Sequence, residues 1–138
     1  MNNVLVDSGF LYVLLDSQHP ESKKVQSIGK IYTSRLIVPY VVLTEVAFLF
    51  NRDGGVWGVI QFLERLVPMS LTYEILTPAD FIRIREIMMT YKDAKFDFVD
   101  CCIMALSERL NIKQICTLDK RDFSIFRPKH VAHLDLLP

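Results

Sequence analysis

An α/β fold with a mainly parallel central sheet is what this sequence predicts, on three observations. Short apolar runs of strand length alternate with longer runs whose apolar residues recur at helical spacing. They follow the order β-α-α-β-α-α-β-α-α-β-β, which calls for crossover connections rather than hairpins. No internal repeat, low-complexity segment or linker interrupts the 138 residues, so one domain spanning 1–138 is expected. Composition agrees, since 51% hydrophobic and 23% charged residues describe a chain that buries an ordinary core. Lysine plus arginine and aspartate plus glutamate number 16 each, so no whole-molecule field steers the chain to nucleic acid or to an anionic membrane.

The first strand is the short apolar run 2–6, followed at once by Asp7-Ser8-Gly9 and a helix over 10–15. This start lacks a basic leader and is interrupted by Asp7 and Asp16, so it does not read as a signal peptide, and no run is long enough to span a bilayer. Val25, Ile28, Ile31 and Tyr32 lie at helical spacing in 20–34, which leads to a second strand at 36–38. Pro39 then opens the helix PYVVLTEVAFLF. Glu45 shares its face with Val41, Val42, Phe48 and Leu49; a carboxylate there costs several kcal/mol unless paired, so a lysine or a metal ion is expected beside it. The run Asn51-Arg52-Asp53-Gly54-Gly55 reads as a turn-rich break before a helix over 56–66, and 69–76 reads as a strand. Pro78 opens a helix over 79–91 with Phe81, Ile84, Ile87 and Met88 at core spacing.

The most informative stretch follows. Residues 98–110 form a helix that is apolar on most of its circumference, ended by Asn111; 114–117 form a buried strand, 118–122 a polar loop and 131–134 the last strand. In a parallel α/β sheet the helix starts and the carboxyl ends of the strands share one edge, where such folds bind ligands. Asp97 and Asp100, in the first turn of one helix, point to the edge that Asp119 and Asp122 occupy; Asp7 follows a strand in the same way, and Glu45 lies within two turns of a helix start. Each acid alone has a structural reading as an N-cap, a dipole partner or a turn former. Their delivery by separate segments to one edge is what points to a site. Cys101, Cys102 and Cys116 form no spaced framework and read as small core residues in a reducing cytosol, and His130 with His133 on the last strand lacks zinc-site partners.

Three stretches, VDSGFLYVLLD, VPYVVLTEVAFLF and FDFVDCCIMALSERLNIKQICTLDKRDF, in this order and separation, resemble the three acidic motifs of the PIN-domain family. The D-F-x-D pair with its helix and the following T-x-D-x-x-F are most similar to the VapC-type toxins of toxin-antitoxin pairs. The resemblance implies a PIN-like three-layer α/β/α fold and a metal-dependent endoribonuclease. It assigns Asp7, Glu45, Asp100 and Asp119 as the catalytic, metal-binding quartet, Asp97 and Asp122 as auxiliary acids, and Ser8 and Thr117 as supporting hydroxyls.

All-oxygen ligands favour Mg²⁺ or Mn²⁺, and a water activated by such an ion attacks a phosphodiester in line, leaving a 5′-phosphate and a free 3′-hydroxyl. Lys92, Lys95, Lys120 and Arg121 lie in the adjoining loops and are candidate phosphate contacts. The expected role is a cytoplasmic toxin with RNA as substrate and a small antitoxin as partner; a housekeeping PIN nuclease of RNA processing and a silent PIN-like binding module are the alternatives. The helices of 20–66 carry more apolar side chains (Val25, Ile28, Phe48, Phe50, Trp57, Ile60, Phe62, Leu63) than one sheet face covers, so a homodimer and an antitoxin groove near the acidic edge are expected.

Overall fold

The structure, a computed structural model, describes residues 2–138. Five strands, β1 (Val4–Val6), β2 (Leu36–Pro39), β3 (Thr72–Glu74), β4 (Gln114–Cys116) and β5 (Asp135–Leu137), pair in parallel throughout in the order β3-β2-β1-β4-β5. Leu5 at the centre of β1 faces Ile37 on one side and Ile115 on the other. The residues of β1 and β2 are all buried, which explains why both read as unbroken apolar runs and not as alternating ones.

Six helices cover the sheet: α1 (Ser8–Leu14), α2 (Ser22–Ile31), α3 (Tyr40–Leu66), α4 (Pro78–Thr90), α5 (Phe98–Arg109) and α6 (Arg121–Ile125). Right-handed crossovers send α1, α2 and α3 to one face, because β1, β2 and β3 step in one direction; the return to β4 carries α4 and α5 over the other. In agreement, α1 packs on α2 and α3, and α4 packs on α5. The result is the three-layer α/β/α arrangement with an all-parallel sheet. At the centre lies α5, every residue from Cys101 to Ser107 buried, with the Ser107 hydroxyl satisfied by the Met104 carbonyl at 2.6 Å. The three cysteines are free and buried. Ion pairs fasten α5 to its neighbours: Arg109 meets Asp80 at 3.0 Å and Glu74 at 3.1 Å, and Arg83 grips both carboxylate oxygens of Glu108. Among the described residues no helix is long and apolar enough to cross a membrane.

Four expectations need correction. The break at 51–55 shrinks to one residue: the helix runs through Asn51 to Gly54, and only Gly55 departs, with φ 60° and ψ −149°. The polar loop spans only 118–120, because Arg121 and Asp122 open the short helix α6, whose Phe123 and C-capping neighbour Phe126 are buried against the core. The last strand is Asp135–Leu137 and not 131–134, because 127–134 are spent carrying the chain from α6 to the sheet edge, where the Asp135 amide pairs with the Lys113 carbonyl at 2.8 Å. On α4, Ile84 and Ile87 are buried, but Phe81 and Met88 face outward. The apolar excess in 20–66 divides: Val25, Phe50 and Phe62 are buried, while Phe48, Trp57 and Leu63 are exposed.

Candidate active site

In the strand order 3-2-1-4-5 the chain reverses its direction of growth between β1 and β4, and the crevice beyond the carboxyl ends of those two strands is where an open parallel sheet has room for a ligand. Asp7 follows β1 and Thr117 follows β4, and the Asp7 amide donates to the Cys116 carbonyl at 3.1 Å, so the two segments are tied together at that point. A cleft of about 660 Å³ opens there, lined by Asp7, Ser8, Gly9, Glu45, Lys95, Asp97, Asp100, Leu118, Asp119, Arg121 and Asp122. All six acids singled out in the sequence therefore face one space.

Each acid is held by its own element. Asp7 is the N-cap of α1: its Oδ1 accepts the Phe10 amide at 2.9 Å, and its Oδ2 accepts the Thr117 hydroxyl at 2.5 Å. Burial pushes the Asp7 carboxyl up to about 6, with Asp119 and Glu45 adding repulsion and the bonds from Thr117 and Phe10 opposing the rise. Thr117 is fully buried behind the cleft, where its Oγ1, having given its proton to Asp7, accepts the Asp119 amide at 3.2 Å, so one hydroxyl ties Asp7 to the backbone of Asp119. Glu45, half-buried in the second turn of α3, accepts the Ser8 hydroxyl. Its protein partner is thus a hydroxyl and not the lysine that its apolar face suggested.

Asp97 caps α5, its Oδ2 accepting the Val99 amide at 3.1 Å and the Asp100 amide at 3.4 Å. Its own amide donates to Asp122 Oδ2 at 3.1 Å, which joins the starts of α5 and α6. Asp100 is pushed up to about 8, first by burial, then by its hydrogen bond with Asp122 and by the charges of Asp7, Asp97 and Asp122. The structural and the functional readings of these acids thus hold together: two of them cap helices with one set of lone pairs and face the cleft with the rest.

The four candidate phosphate contacts part company. Lys95 and Arg121 line the cleft. Lys92 is exposed away from it, and Lys120 donates its Nζ to the Pro138 carbonyl at 2.5 Å. Arg121 is already engaged, with Nη1 on Asp122 at 2.7 Å and Nη2 on the Ala94 carbonyl at 2.6 Å. Among the described residues Lys95 is the one cation lining the cleft that makes no ion pair.

The donor set fits a hard divalent cation. Six carboxylates against two cations, with neither His nor Cys in the lining, make an all-oxygen donor set, the kind that hard cations take in preference to softer ones. Among the described residues no three His, Cys, Asp or Glu side chains already converge on one cation position, because Asp7 turns to Thr117, Glu45 to Ser8 and Asp100 to Asp122. The Asp7 and Glu45 oxygens in these bonds each accept a single hydrogen bond and keep a second lone pair, so the bonds do not exhaust their capacity to take an ion. Gly9, in the first turn of α1, and Leu118, beside Thr117, line the cleft without a role assigned from sequence; their places next to the motif residues Ser8 and Asp119 were the signal available.

The pattern of the PIN domain family matches residues 4–127. The chain is similar to Ribonuclease VapC26 of Mycobacterium tuberculosis, with 23% identity over 135 residues, 98% of this chain and all of the relative. Its fold is like that of VapC20 of the same organism, described as a sarcin-ricin loop cleaving toxin, with a TM-score of 0.79 and 18% identity over 94% of this chain and 98% of that one. A toxin-antitoxin complex from Klebsiella pneumoniae is also similar, with a TM-score of 0.69 and 14% identity over 90% of this chain and 92% of that one.

Proposed function

Because the chain belongs to the PIN domain family, and because its fold brings six acids to one cleft, we propose that it is a metal-dependent endoribonuclease, the VapC-type toxin of a toxin-antitoxin pair. The observation that carries this reading is the crowding of Asp7, Glu45, Asp100 and Asp119. A fold that needed only helix caps has no reason to turn Asp7 and Asp100 into a cleft with four further acids, where burial first and the neighbouring charges second make both resist ionisation.

In this reading Asp7, Glu45, Asp100 and Asp119 hold Mg²⁺ or Mn²⁺. When bound, the ion supplies an activated water at neutral pH and offsets charge on the phosphoryl oxygens. Thr117 and Ser8 orient Asp7 and Glu45 through their hydroxyls. Asp97 and Asp122 hold the start of α5 so that Asp100 faces the cleft. Lys95 takes an RNA phosphate and fixes the register of the strand to be cut. The exposed Phe48, Trp57 and Leu63 on α3, together with Phe81, Met89 and Phe98 around α4 and α5, support a homodimer and a small antitoxin as further partners.

The test is cleavage of a mixed RNA pool with Mg²⁺, Mn²⁺ or EDTA, followed by mapping of the product ends. The reading expects metal-dependent cuts leaving a 5′-phosphate and a 3′-hydroxyl. No cutting in either metal, or cutting undiminished by EDTA, contradicts it.

A further inference from the structure

Among the described residues the guanidinium of Arg121 is the one cationic head lining the cleft that is spent on the protein itself. Its fork spans two acceptors on different elements: Nη1 reaches the Asp122 carboxylate of α6 at 2.7 Å, and Nη2 reaches the Ala94 carbonyl of the loop before α5 at 2.6 Å. Each acceptor leads to a working residue. Asp122, itself buried, passes the contact on through Oδ2 to the Asp97 amide, and Asp97 in turn caps the amides of Val99 and Asp100. Ala94 immediately precedes Lys95, which lines the cleft and stands at φ 55°, a left-handed conformation that a lysine adopts only when its surroundings hold it there.

We propose that Arg121 is a positioning residue and not a phosphate contact: its fork clamps α6, the Ala94–Lys95 turn and the N-terminus of α5 together, and so sets where Lys95 and Asp100 stand in the cleft. This rests on the nuclease reading above for its consequence in catalysis, while the clamp itself is testable without it. The chemistry that demands arginine is the planar fork. A lysine at 121 keeps the positive charge but offers a single point that cannot bridge a carboxylate and a carbonyl on separate segments. A phosphate contact behaves in the opposite way, because an exposed lysine replaces much of what an exposed arginine gives to a phosphate.

The experiment compares Arg121→Lys, Arg121→Ala and Lys95→Ala with the wild-type chain, by RNA cleavage over a range of salt concentrations and by amide hydrogen exchange with no RNA present. Arg121→Lys is expected to resemble Arg121→Ala. In both, kcat falls at least about tenfold, as small misplacements of reacting groups do, KM changes less than about threefold, and the amides of Asp97, Val99 and Asp100 exchange faster. Lys95→Ala is expected to raise KM and to lower the salt slope of RNA binding by roughly one phosphate, with those amides unchanged. The proposal is overturned if Arg121→Lys cleaves and exchanges like the wild type, or if Arg121→Ala only raises KM and flattens the salt slope. Should the wild-type chain cut no RNA under any metal, the nuclease reading fails, and the exchange of Arg121→Lys still decides whether the clamp exists.

Discussion

Asp7 carries two obligations that conflict without a counter-charge, since it caps α1 from a buried position and also faces Asp119 and Glu45. Its carboxyl and that of Asp100 are raised, to about 6 and about 8, so the metal-free folded chain binds more protons than the unfolded one above pH 4. A raised carboxyl contributes stability that is fully present below the unfolded value and is lost as pH climbs through the folded one. In EDTA, stability should therefore fall from about pH 4 to pH 8, the Asp7 share being on the order of 3 kcal/mol. Asp80 and Glu108, held low by Arg109 and Arg83 against the opposing effect of burial, lose their stabilisation only on the acid side. Chemical denaturation in EDTA across this range reads the slope directly; a flat or rising curve would contradict the raised values. Thr117→Val should cost about 1 to 3 kcal/mol, because it strips a buried carboxylate of its hydroxyl donor. The same denaturation midpoints check it, and an unchanged midpoint would show that Asp7 does not depend on Thr117. At this scale the acids were legible because each sits at a strand end or a helix start. The cations were not: sequence places Lys92, Lys95, Lys120 and Arg121 in neighbouring loops, but only folding decides that Lys120 turns to Pro138 and Arg121 to Asp122 and Ala94.

Among the elements, α3 is the one whose shape sequence reasoning misjudged. Four turn formers among five residues suggested a break, yet Asn51 to Gly54 stay helical and the bend is confined to Gly55, at dihedrals that only glycine occupies without strain. Three residues on, a side chain at Gly58 would place its Cβ 2.2 Å from the Phe50 carbonyl, so the bend lets the two halves of α3 touch. Gly55→Ala should cost about 1 to 3 kcal/mol through strain, and Gly58→Ala about 2 kcal/mol or more through the clash. Thermal melts of the two variants test the kink, and wild-type stability in both would refute it. The helix α6 escaped notice because five residues are too few for periodicity to register; Phe123 and, just past its end, Phe126, both buried at i, i+3 spacing, were its one trace. Likewise Phe81 and Met88 matched core spacing on α4, but spacing fixes a face, and what that face meets depends on tertiary packing.

For the whole molecule, the parallel topology was readable from the alternation of elements and their separations, and the strand order 3-2-1-4-5 follows from pairing that no local pattern encodes. That order places Asp7 and Asp119 side by side although 112 positions separate them, and so turns scattered acids into one cleft. The surface retains large apolar groups, Trp57 at 72% and Phe48 at 66% exposure among them, which a lone chain seldom leaves bare. Sedimentation at micromolar concentration should give a dimer, and a clean monomer would count against it. An acidic cleft that binds a cation should declare itself in the melting behaviour of Asp100→Asn. At pH 7 to 8 in EDTA the variant, an uncharged mimic of the protonated acid, should melt at the wild-type temperature or above, since it escapes the cost of burying a carboxyl beside Asp7, Asp97 and Asp122 that must take up a proton to fold. With Mn²⁺ or Mg²⁺ the sign should reverse, because the wild-type chain gains binding free energy that the variant forfeits, and RNA cleavage should drop at least about a hundredfold. A variant destabilised equally with and without metal, and still cutting RNA at the wild-type rate, would reduce Asp100 to a helix-dipole partner and refute the cation site.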